Sequence, residues 1–208
     1  RDRLKAQDIS SDNGKVLSIN KYDGRHRVVS MGHRNPQGLD YCPIHKNLVS
    51  TDHGPYGGDE INFNSELNIL QNYGWPISSY GVHYTEENAI LDTHNPDEER
   101  VIKGSPLYNS HSEYGFVEPI KYFMKNPGVS EVKFIRHEDN FPEFIVSTLG
   151  YDTVHKPLAR HLLHYKYDII KDSIVLMKKY SVNERIRDIA FNEKLNKIFY
   201  VGESTGVI

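Results

Sequence analysis

The chain has 208 residues, with 25 Lys and Arg against 28 Asp and Glu and a formal net charge of −3. That balance offers no electrostatic basis for a nucleic-acid or anionic-membrane partner, and no apolar run is long enough to span a bilayer as a helix. The length suffices for one domain with a real core, the single cysteine excludes an internal disulfide, and fourteen tyrosines with many asparagines favour strands joined by polar loops.

In chain order, Lys15–Ile19 and His26–Met31 read as strands around an Asp23-Gly24 hairpin turn. Residues 38–41 and 48–51 form the next pair, around a polar stretch at 43–47. Cys42, at the end of the first of these runs, reads as a small buried hydrophobe. Residues 82–118 break the rhythm. They hold Glu86-Glu87 and Asp97-Glu98-Glu99 with His83, His94 and His111, at spacings that match no tight metal-ligand pattern. They read as a long loop or insertion. Two further pairs follow, 130–134 with 144–148 and 188–191 with 198–201.

No long amphipathic helix is legible, so the class is all-β: a propeller, a barrel or a sandwich. The repeat of strand, polar loop and strand favours a radially repeated sheet, in which each unit buries its face only against its neighbours.

The richest segment for chemistry is 32–60. It places a forked cation, Arg34, and two amides, Asn35 and Gln37, among glycines and prolines. A packed strand does not tolerate this composition. Close backbone approach to a ligand, with a planar cation beside it, explains it. A second basic motif, Arg185-Ile186-Arg187, puts two guanidinium groups on one face of a strand and Ile186 on the other. Two solvated surface arginines are the ordinary alternative.

Gly32-His33-Arg34-Asn35-Pro36-Gln37-Gly38-Leu39, His53-Gly54-Pro55, Gly57-Gly58-Asp59-Glu60 and Asn72-Tyr73-Gly74-Trp75-Pro76 resemble the signature of soluble quinoprotein sugar dehydrogenases, the glucose/sorbosone dehydrogenase-like family. Ala6-Gln7-Asp8, Gly14-Lys15-Val16-Leu17 and Arg185-Ile186-Arg187-Asp188-Ile189 are similar too, so the resemblance covers nearly the whole chain. It implies a six-bladed β-propeller, of which residues 1–208 would supply about three to four blades as its C-terminal part. A processed mature N-terminus at Arg1 is the alternative. The resemblance also implies a periplasmic or secreted location, and an external electron acceptor. It leaves a homodimer open.

The resemblance further implies pyrroloquinoline quinone (PQQ) and calcium. PQQ is a flat tricyclic quinone with three carboxylates, and arginine pairs bidentately with carboxylate. Arg34, Asn35, Arg185 and Arg187 are the implied cofactor-binding residues. The main-chain oxygens of Gly54 and Pro55 would hold the calcium, since Ca²⁺ accepts carbonyl oxygen in flexible geometry. A second, structural calcium is implied at the Glu60 carboxylate and the Tyr73 carbonyl, although the segment between them is about three residues longer here than in relatives. Trp75 reads as a packing anchor, Gln37 as a tie on the Pro36 turn, and His33 as a hydrogen-bonded structural residue. The family's general base is a histidine in the N-terminal part, which this chain lacks.

One departure stands out. Relatives carry a cofactor-reaching lysine directly after a Ser-Leu pair, and here that position is Gly150, with Lys156 following as a substitute. The implied reaction is oxidation of an aldose at its anomeric carbon to the lactone, with hydride passing to PQQ. A chain lacking the base would be inactive alone. The rival reading is a non-catalytic propeller that binds a protein or glycan through its rim. A calcium-dependent sugar hydrolase lacks an evident carboxylate pair.

Overall fold

The computed structural model describes residues 2–81, 110–137, 140–150 and 157–203. Most of the expected 82–118 loop, 82–109, and Lys156 lie outside them. A short 3-10 turn, Arg3–Ala6, precedes the first strand. β1 (Lys15–Ile19) and β2 (His26–Met31) pair antiparallel through the expected hairpin, whose Gly24 has a φ of +71°.

β3 (Pro36–Cys42), β4 (Asn47–Asp52) and β5 (Asp59–Asn64) follow as a meander. β6 (Gln71–Asn72) returns to lie parallel to β2, and β7 (Lys121–Phe123) closes the second sheet in the order β3-β4-β5-β7. The third sheet is a meander of β8 (Val129–Arg136), β9 (Glu143–Thr148), β10 (His161–Asp168) and β11 (Ser173–Ser181). β12 (Ile186–Asn192) and β13 (Lys197–Gly202) form a two-stranded sheet.

The chain is therefore all-β, and the three repeat units read from the sequence fall on β3–β4, β8–β9 and β12–β13. The first strand of each unit packs beside the next, with β8 against both β3 and β12. β9 shows why the sheets stack. Phe144 and Val146 enter a core shared with Val49 and Ile61 of the preceding sheet. Ile145 points the other way, into a core with Ile186 and Ile189. Successive strand side chains face opposite sides, so a strand apolar on both must be covered on both. Each such buried side chain contributes about 1.5–3 kcal/mol.

Hydrogen bonds stitch the sheets at one end. The Thr51 hydroxyl donates to the Ser130 carbonyl, and the Ser130 hydroxyl donates to the Ile186 carbonyl at 2.6 Å. The starts of β8 and β12 and the end of β4 are thus neighbours, and Pro36 at the start of β3 pairs with Asp52 at the end of β4. Residues just before β3 and β12 share that end of the molecule. Cys42 is fully buried, with Sγ 3.3 Å from His137 Nδ1, as a small core residue should be.

Candidate cofactor and metal site

The link between β2 and β3 carries Arg34 and Asn35. Asp52, at the end of β4, accepts both of their backbone N–H groups, from Arg34 at 2.9 Å and Asn35 at 2.6 Å. This bracket holds the bend before Pro36. The Arg34 guanidinium reaches across to donate to the His53 carbonyl at 2.8 Å and lies over the Trp75 ring at 5.4 Å. Trp75 is therefore more than a packing anchor, because it supplies the flat face that keeps the cation in place.

Arg34 lines a narrow cleft together with Asp52, Gly54, Glu60, Tyr73 and Trp75. Arg34, Gly54, Glu60 and Tyr73, separated by up to 39 positions in the sequence, thus meet in one place. Asn35 sits beside it, with Nδ2 3.5 Å from His53 Nδ1. Pro55 adjoins through its carbonyl, which accepts from Asn126 Nδ2 at 2.9 Å.

Glu60 is buried, and burial pushes its carboxyl above the ordinary range. Asn62 Nδ2 donates to it at 3.2 Å, and His111 Nε2 lies 3.4 Å away. His111 is itself buried. Tyr73 is raised as well, by burial first and by the Glu60 charge second. A cation in this cleft would offset the cost of the buried carboxylate. Among the described residues no three His, Cys, Asp or Glu side chains gather to ligate a metal. A cation here must draw on main-chain oxygen as well, which fits calcium better than a transition metal. A Cβ on Gly54 would run into the Gly57–Gly58 backbone, so the fold of the loop itself requires glycine there.

Arg185 and Arg187 do not line this cleft. They lie at the start of β12, at the same end of the molecule, where Nε of each donates to Glu203 Oε2 at 2.8 Å. Both guanidinium groups therefore face one side, as the two-residue spacing requires, even though a bulge interrupts the ladder at Arg187. Arg185 is buried and also donates to the Leu149 carbonyl. Hydrogen bonds from Arg187 and Arg185 hold the Glu203 carboxyl below the ordinary range.

His33 is structural, as expected: it is 1% exposed, stacks on Tyr73 and lies 2.8 Å from the Ser30 hydroxyl. Gln37 donates to the Asn35 side-chain oxygen at 3.0 Å, tying down the turn. Gly150 donates its N–H to the Pro127 carbonyl at 2.9 Å, and a Cβ there would stand 2.5 Å from that oxygen and 2.9 Å from Ala159 Cβ. Two backbones touch at this point, so the departure from lysine is built into the packing. Sequence reasoning did not single out Asp52, Asn126 or Glu203, and it named His111 only as one of the histidines of the 82–118 stretch. The only local signal was an acid following the Val201-Gly202 strand end.

Four stitched sheets and a polar cleft at one end define a segment of a β-propeller with a candidate small-molecule site. A family model described as Glucose / Sorbosone dehydrogenase matches residues 1–206, and the chain belongs to that family. It is 29% identical over 157 residues to Aldose sugar dehydrogenase YliI of Escherichia coli, a match covering 68% of this chain and 36% of that protein. It is 30% identical over 165 residues to Quinoprotein glucose dehydrogenase B of Acinetobacter calcoaceticus, covering 64% and 33%.

An uncharacterised protein of Synechocystis is 27% identical over 90% of this chain and 42% of its own length. The chain thus spans well under half the length of these relatives. The solved apo structure of soluble Escherichia coli aldose sugar dehydrogenase superposes with a TM-score of 0.68 at 24% identity, over 97% of this chain and 55% of that one. This likeness supports the propeller fold.

Proposed function

We propose that the protein containing these residues is a PQQ-dependent aldose dehydrogenase that oxidises a sugar to its lactone. The observation that carries the reading is the meeting of Arg34, Gly54, Glu60 and Tyr73 in one cleft, in a chain of the sugar dehydrogenase family. PQQ, when bound, would accept hydride from the anomeric carbon while calcium polarises it.

The chain's own residues do the rest. Arg34 holds a carboxylate, kept in place by Trp75 and the His53 carbonyl. Arg185 and Arg187 supply a second cationic site, their two charges only half balanced by the Glu203 carboxylate, which a ligand carboxylate would join or displace. The Gly54 and Pro55 carbonyls hold calcium, and Glu60 with the Tyr73 carbonyl holds a second, structural ion. The general base lies on the remainder of the protein. The external electron acceptor, the periplasmic or secreted setting and any homodimer belong to the same reading. No described helix is long and apolar enough to cross a membrane.

Gly150 supports a second reading, a rim that binds a glycan or protein without turnover, because the family lysine has no room there. Thermal unfolding of the full-length protein separates the two. Calcium and PQQ, each at about 100 times its dissociation constant, should each stabilise it by about 2.7 kcal/mol and raise its melting temperature. An unchanged melting temperature with both in excess overturns the cofactor reading and leaves the binding module.

A further inference from the structure

The turn from β4 to β5 carries the two main-chain oxygens assigned above to calcium, and it is bracketed by side chains that lie beyond it. The aiming groups come from elsewhere. Asp59, at the start of β5, is 1% exposed. Its Oδ1 accepts the Gly54 N–H at 3.1 Å, and its Oδ2 accepts the N–H groups of Gly128 at 2.8 Å and Val129 at 3.1 Å. Its own N–H donates to Asn126 Oδ1 at 2.8 Å, and Asn126 Nδ2 donates to the Pro55 carbonyl at 2.9 Å.

The geometry of this clip fixes both oxygens. The Gly54 N–H is pinned on one side and the Pro55 carbonyl on the other. Of the torsions between them the peptide is planar and the proline φ is locked, leaving Gly54 φ and ψ and Pro55 ψ to be set by the two held ends. With both ends held, these few torsions cannot turn independently, which restrains the Gly54 and Pro55 carbonyls. A carbonyl has two acceptor lone pairs, so the Asn126 bond still leaves Pro55 one for a cation. Asn126 lies on the link from β7 to β8, and Gly128 and Val129 lead into β8. The clip therefore ties the turn of the second sheet to the start of the third.

We propose that Asn126 and Asp59 are positioning residues that aim the Gly54 and Pro55 carbonyls at calcium. The site is then assembled across a junction between two sheets. This rests on the calcium assignment made under Proposed function.

The test is calcium titration by calorimetry on the full-length protein, with metal-free melting temperature measured in parallel. Asn126→Ala should weaken calcium binding about 10-fold, the effect of removing an outer-shell partner of a metal ligand. Asn126→Gln carries the same amide on a stem one methylene too long, and should behave as Asn126→Ala does. It also serves if the alanine variant does not fold. A merely structural role would lower the metal-free melting temperature and leave the calcium affinity of the folded protein unchanged. That result overturns the positioning role alone. Wild-type protein that binds no calcium overturns the calcium assignment, and the positioning role with it.

Discussion

Arg34 illustrates how little of a functional residue is visible at its own position. Its charge and its turn are sequence properties, but its direction is set by Asp52, His53 and Trp75, which lie 18, 19 and 41 positions away. Gly150 makes the same point in reverse. A missing lysine reads as lost function, whereas in the fold it marks contact between two backbones. Gly150→Lys should therefore not restore a cofactor contact. It should destabilise the protein by about 1–3 kcal/mol, the usual cost of forcing atoms into a packed site. Urea unfolding measures this, and an unchanged midpoint would show that the Pro127 and Ala159 segments yield freely.

At the scale of elements, strands were the easier part to read because their signal is local. β1 and β2 fall on Lys15–Ile19 and His26–Met31 as expected, since alternation and an Asp-Gly turn are enough to define a hairpin. The joints between sheets depend on a few buried hydroxyls. Thr51 Oγ1 accepts the Gly38 N–H at 2.9 Å and donates to the Ser130 carbonyl, so one atom serves two inner strands. Thr51→Val is nearly isosteric but leaves both groups buried and unpaired, at about 1–3 kcal/mol for each. Thr51→Ser keeps the hydroxyl and should lose far less in urea midpoint. Equal losses in the two variants would assign the effect to the lost methyl group instead.

Across the whole molecule, two four-stranded sheets are complete while β12 and β13 form a pair alone among the described residues. Solvent then reaches apolar positions on β13 such as Phe199, 46% exposed, and Val201, 41% exposed. A propeller protects its edges and buries its blade faces by closing the ring. Residues 1–208 assayed alone with aldoses, PQQ, calcium and an artificial acceptor dye should give no turnover. On the proposed reading the general base lies outside residues 1–208, and loss of such a base costs about 10²–10⁴-fold. Robust turnover would mean that the chain carries its own base, with His33 and His53 the first to substitute.

The sequence by itself determined the β class, the repeat of strand pairs, the family and the two arginine motifs. Each of these is written in adjacent residues: alternation in 2-residue steps, turn glycines, and runs such as Gly32–Leu39 whose chemistry is contiguous. The tertiary structure decided which of those residues share a site. Arg34, Gly54, Glu60 and Tyr73 meet at one cleft, while Arg185 and Arg187 gather at Glu203. It also revealed Asp52, Asn126 and the place of His111 beside Glu60, through contacts between partners 17 to 71 positions apart in the chain. Sheet packing brings such pairs together through the summed burial of many side chains, and no local run of sequence records where that sum is satisfied.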